Sequence, residues 1–248
     1  MDPGYAASLA HPEAGQNFPK RPNTENPLRG TVGQCKPVQR RAGCCIYNRL
    51  LMSKQRIISH FNEIAELKIQ AASELAGPIE QAIELMFTAL SNGNRILACG
   101  NGGSAADCQH FAAELVGRFE RERLPLPAMA LSADASILTA IGNEYGFGDI
   151  FAKQVQAYGQ AGDVLLAITT SGGSANVMAA IEAALEREMR VVALTGRGGG
   201  SIPRLLTDAD VHICVPHERT SRIQEVHLLI VHCLCDGIDV ALFGGDTE

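Results

Sequence analysis

The 248-residue sequence contains no tryptophan, and aromatic residues make up only 5% of it. Proteins that bind single-stranded nucleic acid use aromatic side chains as stacking platforms, so this class is poorly supported. Basic residues are also scarce, because 21 Lys and Arg stand against 27 Asp and Glu, giving a formal net charge of −6. Neutralising many phosphates requires clustered cations. We therefore expect no direct binding of nucleic acid.

Long apolar runs are absent as well. No uninterrupted apolar stretch approaches the ~18 residues of a membrane span, and the N-terminus lacks the charged-then-apolar layout of a signal peptide. The eight cysteines show no paired CxxC spacing of the zinc-ribbon kind, and several lie inside apolar runs, which is typical of reduced core residues. With 46% hydrophobic residues, the chain can bury one substantial core. We expect a cytoplasmic protein with no membrane partner.

Residues 1–51 differ in composition from the rest. They hold six of the eleven prolines and seven Lys and Arg against three Asp and Glu, without sustained apolar periodicity. This composition predicts a disordered leader. Two alternatives stay open: the leader is part of the native protein, or the natural protein starts at Met52. A basic targeting arm is less well supported, because the amphipathic pattern of a transit peptide is missing. We assign the folded domain to residues 52–248.

Apolar residues recur at helical spacing from 53 to 92, and Gly77-Pro78 in the middle predicts two helices rather than one. Downstream, short apolar strands alternate with helices, which indicates an α/β fold with a parallel sheet covered on both faces. The predicted strands are 95–99, 128–132, 163–168, 190–194 and 211–215. The predicted helices after the first strand are one that has Ser104 in its first turn and extends to Glu114, followed by 135–141, 150–158, 175–186 and 222–242.

Three glycine- and hydroxyl-rich loops follow predicted strands, at Gly100–Ser104, Thr169–Ser174 and Thr195–Ser201. In a parallel sheet such loops converge at the carboxyl edge, where ligands bind. The second loop is the best phosphate cradle, since it combines four hydroxyls with the start of a helix. Ser104 lies where the first turn of another helix offers free N–H donors. Neither GxxxxGK[ST] nor a GxGxxG opening the first helix is present, so a phosphosugar is favoured over a nucleotide.

A second kind of chemistry is carried by histidine and carboxylate residues. His110 and Glu114 are spaced i, i+4 and share a helix face, and the closing helix carries Gln224 and His232. Together the four side chains form a set compatible with a divalent metal such as zinc. Taken singly, each is more typical of an ordinary helix position, and the sequence leaves open whether the two helices meet.

These motifs occur in an order that resembles the sugar isomerase (SIS) domain family, and within it the phosphoheptose isomerases. The resemblance covers 52 to about 243 and is carried by CGNGGSAADCQHFAAEL, LTAIGNEYGFGDIFAKQV, GDVLLAITTSGGSANV, VVALTGRGGG and RIQEVHLLIVH. It implies a three-layer α/β/α, flavodoxin-like fold with a five-stranded parallel sheet preceded by the two N-terminal helices. It further implies a homotetramer with active sites at subunit contacts.

The resemblance also implies roles for individual residues. The metal set, for zinc, falls on His110, Glu114, Gln224 and His232, with Glu114 as catalytic base and His232 as catalytic acid. Substrate contacts fall on Asn101, Gly102, Gly103, Asn143, Glu144, Thr169, Thr170, Ser171, Ser174 and Gln224. Three positions depart from the family pattern, where Glu144 replaces aspartate, Thr169 replaces serine and Gly173 replaces asparagine. Glu144 adds a methylene and so affects substrate preference more than reaction type.

The activity implied is ketose-to-aldose isomerisation of sedoheptulose 7-phosphate, a step towards the heptose of lipopolysaccharide. The alternative from the same family is a non-catalytic protein that binds the replication initiator DnaA, because GRFERERLPLPAMAL and HLLIVHCLCDGIDVALF are at least as similar to that branch. That branch tends to lose the carboxylate and the final histidine. Since this sequence keeps Glu114 and His232, we predict an enzyme.

Overall fold

A five-stranded, entirely parallel β-sheet organises the chain. The computed structural model describes residues 54–244; the predicted leader 1–51 lies outside the described residues. The strand order is β2-β1-β3-β4-β5, the flavodoxin-like order. The strands are β1 (Ile96–Gly100), β2 (Ala128–Ala130), β3 (Val164–Ile168), β4 (Arg190–Gly196) and β5 (Val211–Val215). The helices are α1 (Lys54–Ser91), α2 (Gly103–Val116), α3 (Ala135–Glu144), α4 (Ala152–Tyr158), α5 (Ala175–Glu186) and α6 (Thr220–Phe243).

Helices cover both faces of the sheet, as the unbroken apolar strands predicted. Successive strand residues point to opposite faces, and accordingly Ile96 and Ala98 of β1 pack with α1, α2 and α6. Leu97 and Cys99 pack on the other face with α4 and α5. All residues of β1 and β3 are buried. The three-layer α/β/α prediction is therefore confirmed.

The prediction of two N-terminal helices is wrong. Helix α1 runs for 38 residues without interruption and contains Pro78 in its interior. A proline there lacks the N–H that would bond to the carbonyl four residues back. However, the buried residues Leu67, Ala71, Leu75, Ala82 and Met86 form one stripe that crosses the proline. Packing along this stripe holds both halves in line, because tertiary contacts contribute more to helix stability than local propensity does.

The closing helix α6 is the one helix among the described residues that is long and apolar enough to cross a membrane by length and composition alone, with a mean hydropathy of 1.8 in its most apolar window. Ten of its residues are buried in the fold, including Arg222, His227 and Asp239. Part of its apolar surface therefore belongs to the core of the domain, while Leu228, Leu229, Val240 and Phe243 are exposed. Length and composition alone are weak evidence for a membrane span.

Cysteines within the described residues are free, as predicted for reduced core residues. Cys99 and Cys235 are buried, and burial raises the pKa of each thiol to about 12. Both side chains are therefore protonated at neutral pH and act as small apolar groups.

Candidate active site

The carboxyl ends of β1, β3 and β4 lie side by side in the sheet, so the three predicted loops do meet at one edge. A cavity of about 180 Å³ opens there. It is lined by residues of the first two loops and of the start of α6: Asn101, Ser104, Ile168, Thr169, Thr170, Ser171, Ser174, Thr220 and Gln224. Seven of these were predicted as substrate-binding residues.

The loop after β3 is built to receive an anion. The hydroxyls of Thr169 and Ser174 lie 3.0 Å apart, and Ser171 Oγ accepts a hydrogen bond from the backbone N–H of Gly173 at 3.2 Å. Helix α5 begins directly afterwards with Ser174 at its N-cap. Hydroxyl donors and the positive end of a helix dipole thus face the same cavity, which is the arrangement that phosphate groups prefer.

The third glycine-rich loop, Thr195–Ser201, packs against the Thr169–Ser174 loop. The backbone N–H of Ser201 donates to Gly172 O at 3.0 Å. Gly172 has a φ of +64°, and a Cβ on it would lie 1.9 Å from Gly199 O. Only two glycine backbones can approach so closely. The loop after β4 therefore braces the phosphate loop instead of lining the cavity.

The loop after β1 is fixed by a pair of side-chain amides to the first turn of α5, the helix that follows the Thr169–Ser174 loop. Asn101 Nδ2 donates to Asn176 Oδ1 at 2.8 Å, and Asn176 Nδ2 donates back to Asn101 Oδ1 at 2.9 Å. Asn176 is only 3% exposed. Sequence reasoning missed Asn176; its position just inside a helix that follows a phosphate loop was the available signal.

Gly103 allows Gln224 to reach the cavity. A Cβ at Gly103 would lie 2.3 Å from Gln224 Nε2, so the absence of a side chain makes room for the amide. Gly102 has a φ of +57°, which favours glycine, and Ser104 is 3% exposed in the first turn of α2. The first loop thus contributes space and backbone groups rather than charge.

The two histidine-bearing helices meet, which the sequence had left open. His232 Nε2 of α6 lies 3.1 Å from His110 Nε2 of α2, and His110 Nε2 lies 3.3 Å from Glu114 Oε1. The His110 side chain is 41% exposed and that of Glu114 24%, so both remain accessible to a small ligand. Asp107, one turn before His110, has one buried carboxylate oxygen without a hydrogen-bond partner, and burial raises its pKa.

The fit of this trio to a metal ion can be tested by its spacing. Zinc bound tetrahedrally at ~2.0–2.1 Å separates its ligand atoms by about 3.3 Å. In this structure His110 Nε2 lies 3.1 Å from His232 Nε2 and 3.3 Å from Glu114 Oε1. Within residues 54–244, no group of three or more His, Cys, Asp or Glu side chains is placed so that it could hold a metal ion. The donor types and the two spacings from His110 agree with those of a zinc site, but the side chains as placed here do not form a site that could hold the ion.

Asn143 and Glu144 are not brought to this cavity. They lie at the end of α3, a helix with no buried residues, and neither lines the cavity. The neighbouring Tyr145 and Phe147 are 59% and 66% exposed. The structure of the single chain thus leaves this predicted pair on its surface.

A parallel α/β sheet with an anion cradle at its carboxyl edge, and with a cluster of titratable side chains on two of the helices that cover it, defines a protein of the phosphate-ligand-binding class. The chain belongs to the SIS domain family, whose model matches residues 59–196. It is 62% identical to the phosphoheptose isomerase of Methylibium petroleiphilum over 193 residues, covering 78% of this chain and 96% of that relative. Identity to the phosphoheptose isomerase of Neisseria meningitidis serogroup C is 57% over 192 residues, 77% of this chain and 98% of that relative.

Solved structures agree with this assignment. The structure of phosphoheptose isomerase from Neisseria gonorrhoeae has a TM-score of 0.72 and 55% identity, covering 75% of this chain and 98% of that one. The structure of a phosphoheptose isomerase from Francisella tularensis has a TM-score of 0.74 and 48% identity, covering 76% and 99%. The resemblance found in the motifs is thereby confirmed for both the family and the fold.

Proposed function

We propose that this protein catalyses the isomerisation of sedoheptulose 7-phosphate to D-glycero-D-manno-heptose 7-phosphate. The observation that carries the proposal is the contact between His110, Glu114 and His232 on α2 and α6, the two helices whose first turns line the phosphate cavity. The high identity to phosphoheptose isomerases over nearly their full length supports it. The product serves the synthesis of the heptose in lipopolysaccharide, in the cytoplasm.

The reaction requires two proton transfers between adjacent carbons. Glu114 acts as the base that removes a proton from C1 of the ketose, beside the C2 carbonyl. The electron pair forms the C1=C2 bond of a cis-enediol, and the carbonyl oxygen takes up a proton. His232 acts as the acid that returns a proton to C2, while the C1 hydroxyl loses its proton to give the aldehyde. Glu114 and His232 both lie within hydrogen-bonding distance of His110 Nε2. The base and the acid are therefore close enough to act on adjacent carbons of one substrate.

The phosphate cradle supplies the binding energy that positions these carbons. Thr169, Ser171 and Ser174 hold the phosphate at the start of α5, while Asn101 and Gln224 contact the sugar chain between the phosphate and the reacting end. Remote binding of this kind lowers the entropic cost of reaching the transition state. The Asn101–Asn176 amide pair, which joins the loop after β1 to the first turn of α5, keeps these sugar contacts at a fixed distance from the phosphate cradle.

Zinc is the cofactor that we propose for the trio. His110, Glu114 and His232, completed by Gln224, would hold it. When bound, zinc supplies Lewis-acid polarisation of the substrate oxygens and stabilises negative charge on the enediolate.

We further propose that the protein works as a homotetramer. Helix α1 exposes Ile57, Phe61 and Ile69, of which Phe61 and Ile69 are 70% and 75% exposed. A contact between copies would cover these side chains. Asn143 and Glu144 then reach the substrate of a neighbouring subunit, which accounts for their position outside the cavity of their own chain.

A coupled assay with sedoheptulose 7-phosphate, run with and without a chelator, tests the proposal. Turnover that is lost on chelation and restored by zinc supports both function and cofactor, whereas turnover that persists refutes the cofactor alone. The competing function is DnaA binding without catalysis. Absence of turnover with zinc present, together with capture of purified DnaA, would reverse the assignment.

A further inference from the structure

A buried arginine contacts both helices that carry the proposed catalytic residues. Arg123 belongs to the segment between α2 and β2, and its side chain is 2% exposed. Its guanidinium donates to the backbone carbonyl of Glu114 through Nη2 and to that of Leu115 through Nη1, both at 2.8 Å. Its Nε donates to Asp239 Oδ1 of α6 at 2.7 Å. One side chain therefore joins two helices.

The two carbonyl contacts fix the last turn of α2. The final carbonyls of a helix have no partner within the helix and carry the negative end of its dipole. A guanidinium placed there satisfies these acceptors with a charge of the favourable sign. Glu114 lies in this last turn, so the contact holds the backbone of the proposed base itself.

The contact with Asp239 fixes α6 at the same time. Asp239 lies seven residues after His232, and residues seven apart fall within ~20° of each other around a helix. The Asp239 side chain is 5% exposed, and its Oδ2 is buried without a hydrogen-bond partner. A carboxylate in such a setting is stabilised by its pairing with Arg123, and removing either partner would leave an uncompensated buried charge.

We propose that Arg123 and Asp239 are positioning residues that keep the Glu114 side chain at its distance from His110 and His232. This inference rests on the proposed isomerase function. Neither residue touches substrate, because both side chains are enclosed by protein. Their effect is transmitted through the Glu114 carbonyl on one side and through two turns of α6 on the other.

The test uses Arg123→Lys, which keeps the charge but loses the planar fork that spans both carbonyls and the carboxylate. Misplacement by about 1 Å costs up to ~10²-fold in rate. We therefore expect kcat to fall by about 10- to 100-fold, with KM and inhibition by inorganic phosphate changed less than about twofold, since the cradle lies on other loops. Unfolding by urea is measured for each variant.

Arg187→Lys is the control for the loss of a guanidinium contact with a helix terminus, at an exposed position rather than a buried one. The guanidinium of Arg187 donates through Nε and Nη2 to the carbonyl of Gly159, where α4 ends, and so makes a comparable contact with a helix terminus away from the histidines. We expect its kcat to remain at the wild-type value. A second variant, Arg123→Met with Asp239→Leu, replaces the buried pair by apolar groups, a change often tolerated in stability. It should fold yet keep the low kcat.

A kcat retained in Arg123→Lys, or a loss that merely follows stability in all variants including Arg187→Lys, would overturn the positioning role. Crystal structures of wild type and Arg123→Lys provide a readout independent of turnover. The separations of His110 Nε2 from His232 Nε2 and from Glu114 Oε1 should change in the variant, and unchanged separations would count against the proposal. If wild type itself lacks turnover, the isomerase assignment fails while these separations still decide the positioning role.

Discussion

At the scale of single residues, Glu114 is the most demanding part of the site, because its carboxylate serves as both proposed base and proposed zinc ligand. It lies 3.3 Å from His110 Nε2 and is partly exposed. We expect Glu114→Gln to lower kcat by about 10²–10⁴-fold, the usual contribution of a general base. Inhibition by inorganic phosphate should stay within about twofold of wild type.

The control for this change is Glu186→Gln at the end of α5, which should leave kcat unchanged. Steady-state kinetics with sedoheptulose 7-phosphate measure both variants. Substantial activity in Glu114→Gln would remove Glu114 from the role of base.

Gly103 offers a second test at this scale, because its missing side chain makes room for Gln224. Alanine fits the helix well at this position, but its Cβ would lie 2.3 Å from Gln224 Nε2 and displace the amide. We expect Gly103→Ala to fold with a midpoint of thermal unfolding close to wild type and to raise KM at least about tenfold. An unchanged KM would show that Gln224 is not needed for the substrate.

At the scale of elements, helix α1 shows how packing overrides a local signal. Gly77 and Pro78 both oppose a helix, yet the chain continues as one helix because Leu75 and Ala82 stay on a single buried stripe. Gly77 lies inside this helix, and a Cβ added to it would meet nothing within 4 Å apart from its own chain neighbours, of which Pro78 is one. Replacing it by alanine should stabilise the domain, but by less than the ~1 kcal/mol of an ordinary helix position, because Pro78 crowds the Cβ of the residue before it.

The counterpart for this prediction is Gly93→Ala. Gly93 also has open space around it but has a φ of +79°, which strains an L-residue. The free energy of unfolding of this variant should fall by about 1 kcal/mol in urea titrations. If the two substitutions changed stability in the same direction, the assignment of backbone conformation at one of these sites would be wrong.

The elements also show what sequence could and could not predict. Strands β1 and β3 were predictable because each is a short apolar run, and the Thr169–Ser174 loop because hydroxyls cluster before a helix. The single helix α1 was not predictable, because only its packing in the folded chain shows that one buried stripe continues across Pro78. The contact of His110 with His232 depends on two helices 122 positions apart in sequence, and nothing local encodes it.

Arg123 illustrates the same limit more sharply. In the sequence it is one of several charged residues in GRFERERLPL, and Arg118 and Arg121 look equally suitable. Only the folded chain distinguishes Arg123, whose side chain is enclosed, from Arg118, whose side chain is 58% exposed. Residues that act through backbone carbonyls leave no motif that spacing alone can detect.

At the scale of the whole molecule, one buried histidine links stability to pH. His227 is fully enclosed, its Nε2 donates a hydrogen bond to Thr195 O at 3.0 Å, and burial lowers its pKa to about 4. Its pKa in the unfolded chain is ~6.5. Between these values the unfolded state binds more protons, so stability falls as pH decreases from about 6.5 towards 4.

Through His227, the free energy of unfolding should be lower by about 3 kcal/mol below pH 4 than at neutral pH, because each unit of pKa shift corresponds to ~1.4 kcal/mol. Urea unfolding of wild type and His227→Gln between pH 4 and 8 measures it. The variant should show a shallower dependence on pH. Equal slopes in the two proteins would mean that His227 is not the group responsible.

Assembly is the remaining question at this scale, and it concerns the exposed face of α1. Phe61 and Ile69 leave most of their surface uncovered in the single chain, which is costly for large apolar side chains in water. We expect wild type to have about four times the chain mass of 26.4 kDa in sedimentation equilibrium. Phe61→Asp with Ile69→Asp should dissociate it, because each carboxylate would have to be buried at the contact.

The control Gln160→Glu adds charge to an exposed loop and should leave the mass unchanged. Because Asn143 and Glu144 are proposed to act on a neighbouring subunit's substrate, dissociation should also lower kcat/KM while inorganic phosphate still binds to the cradle of each chain. Adding an excess of Glu114→Gln protein, which retains α1 and its own Asn143 and Glu144, should restore turnover to wild-type chains diluted below their assembly concentration. A dissociated variant with full activity would show instead that each chain carries a complete site.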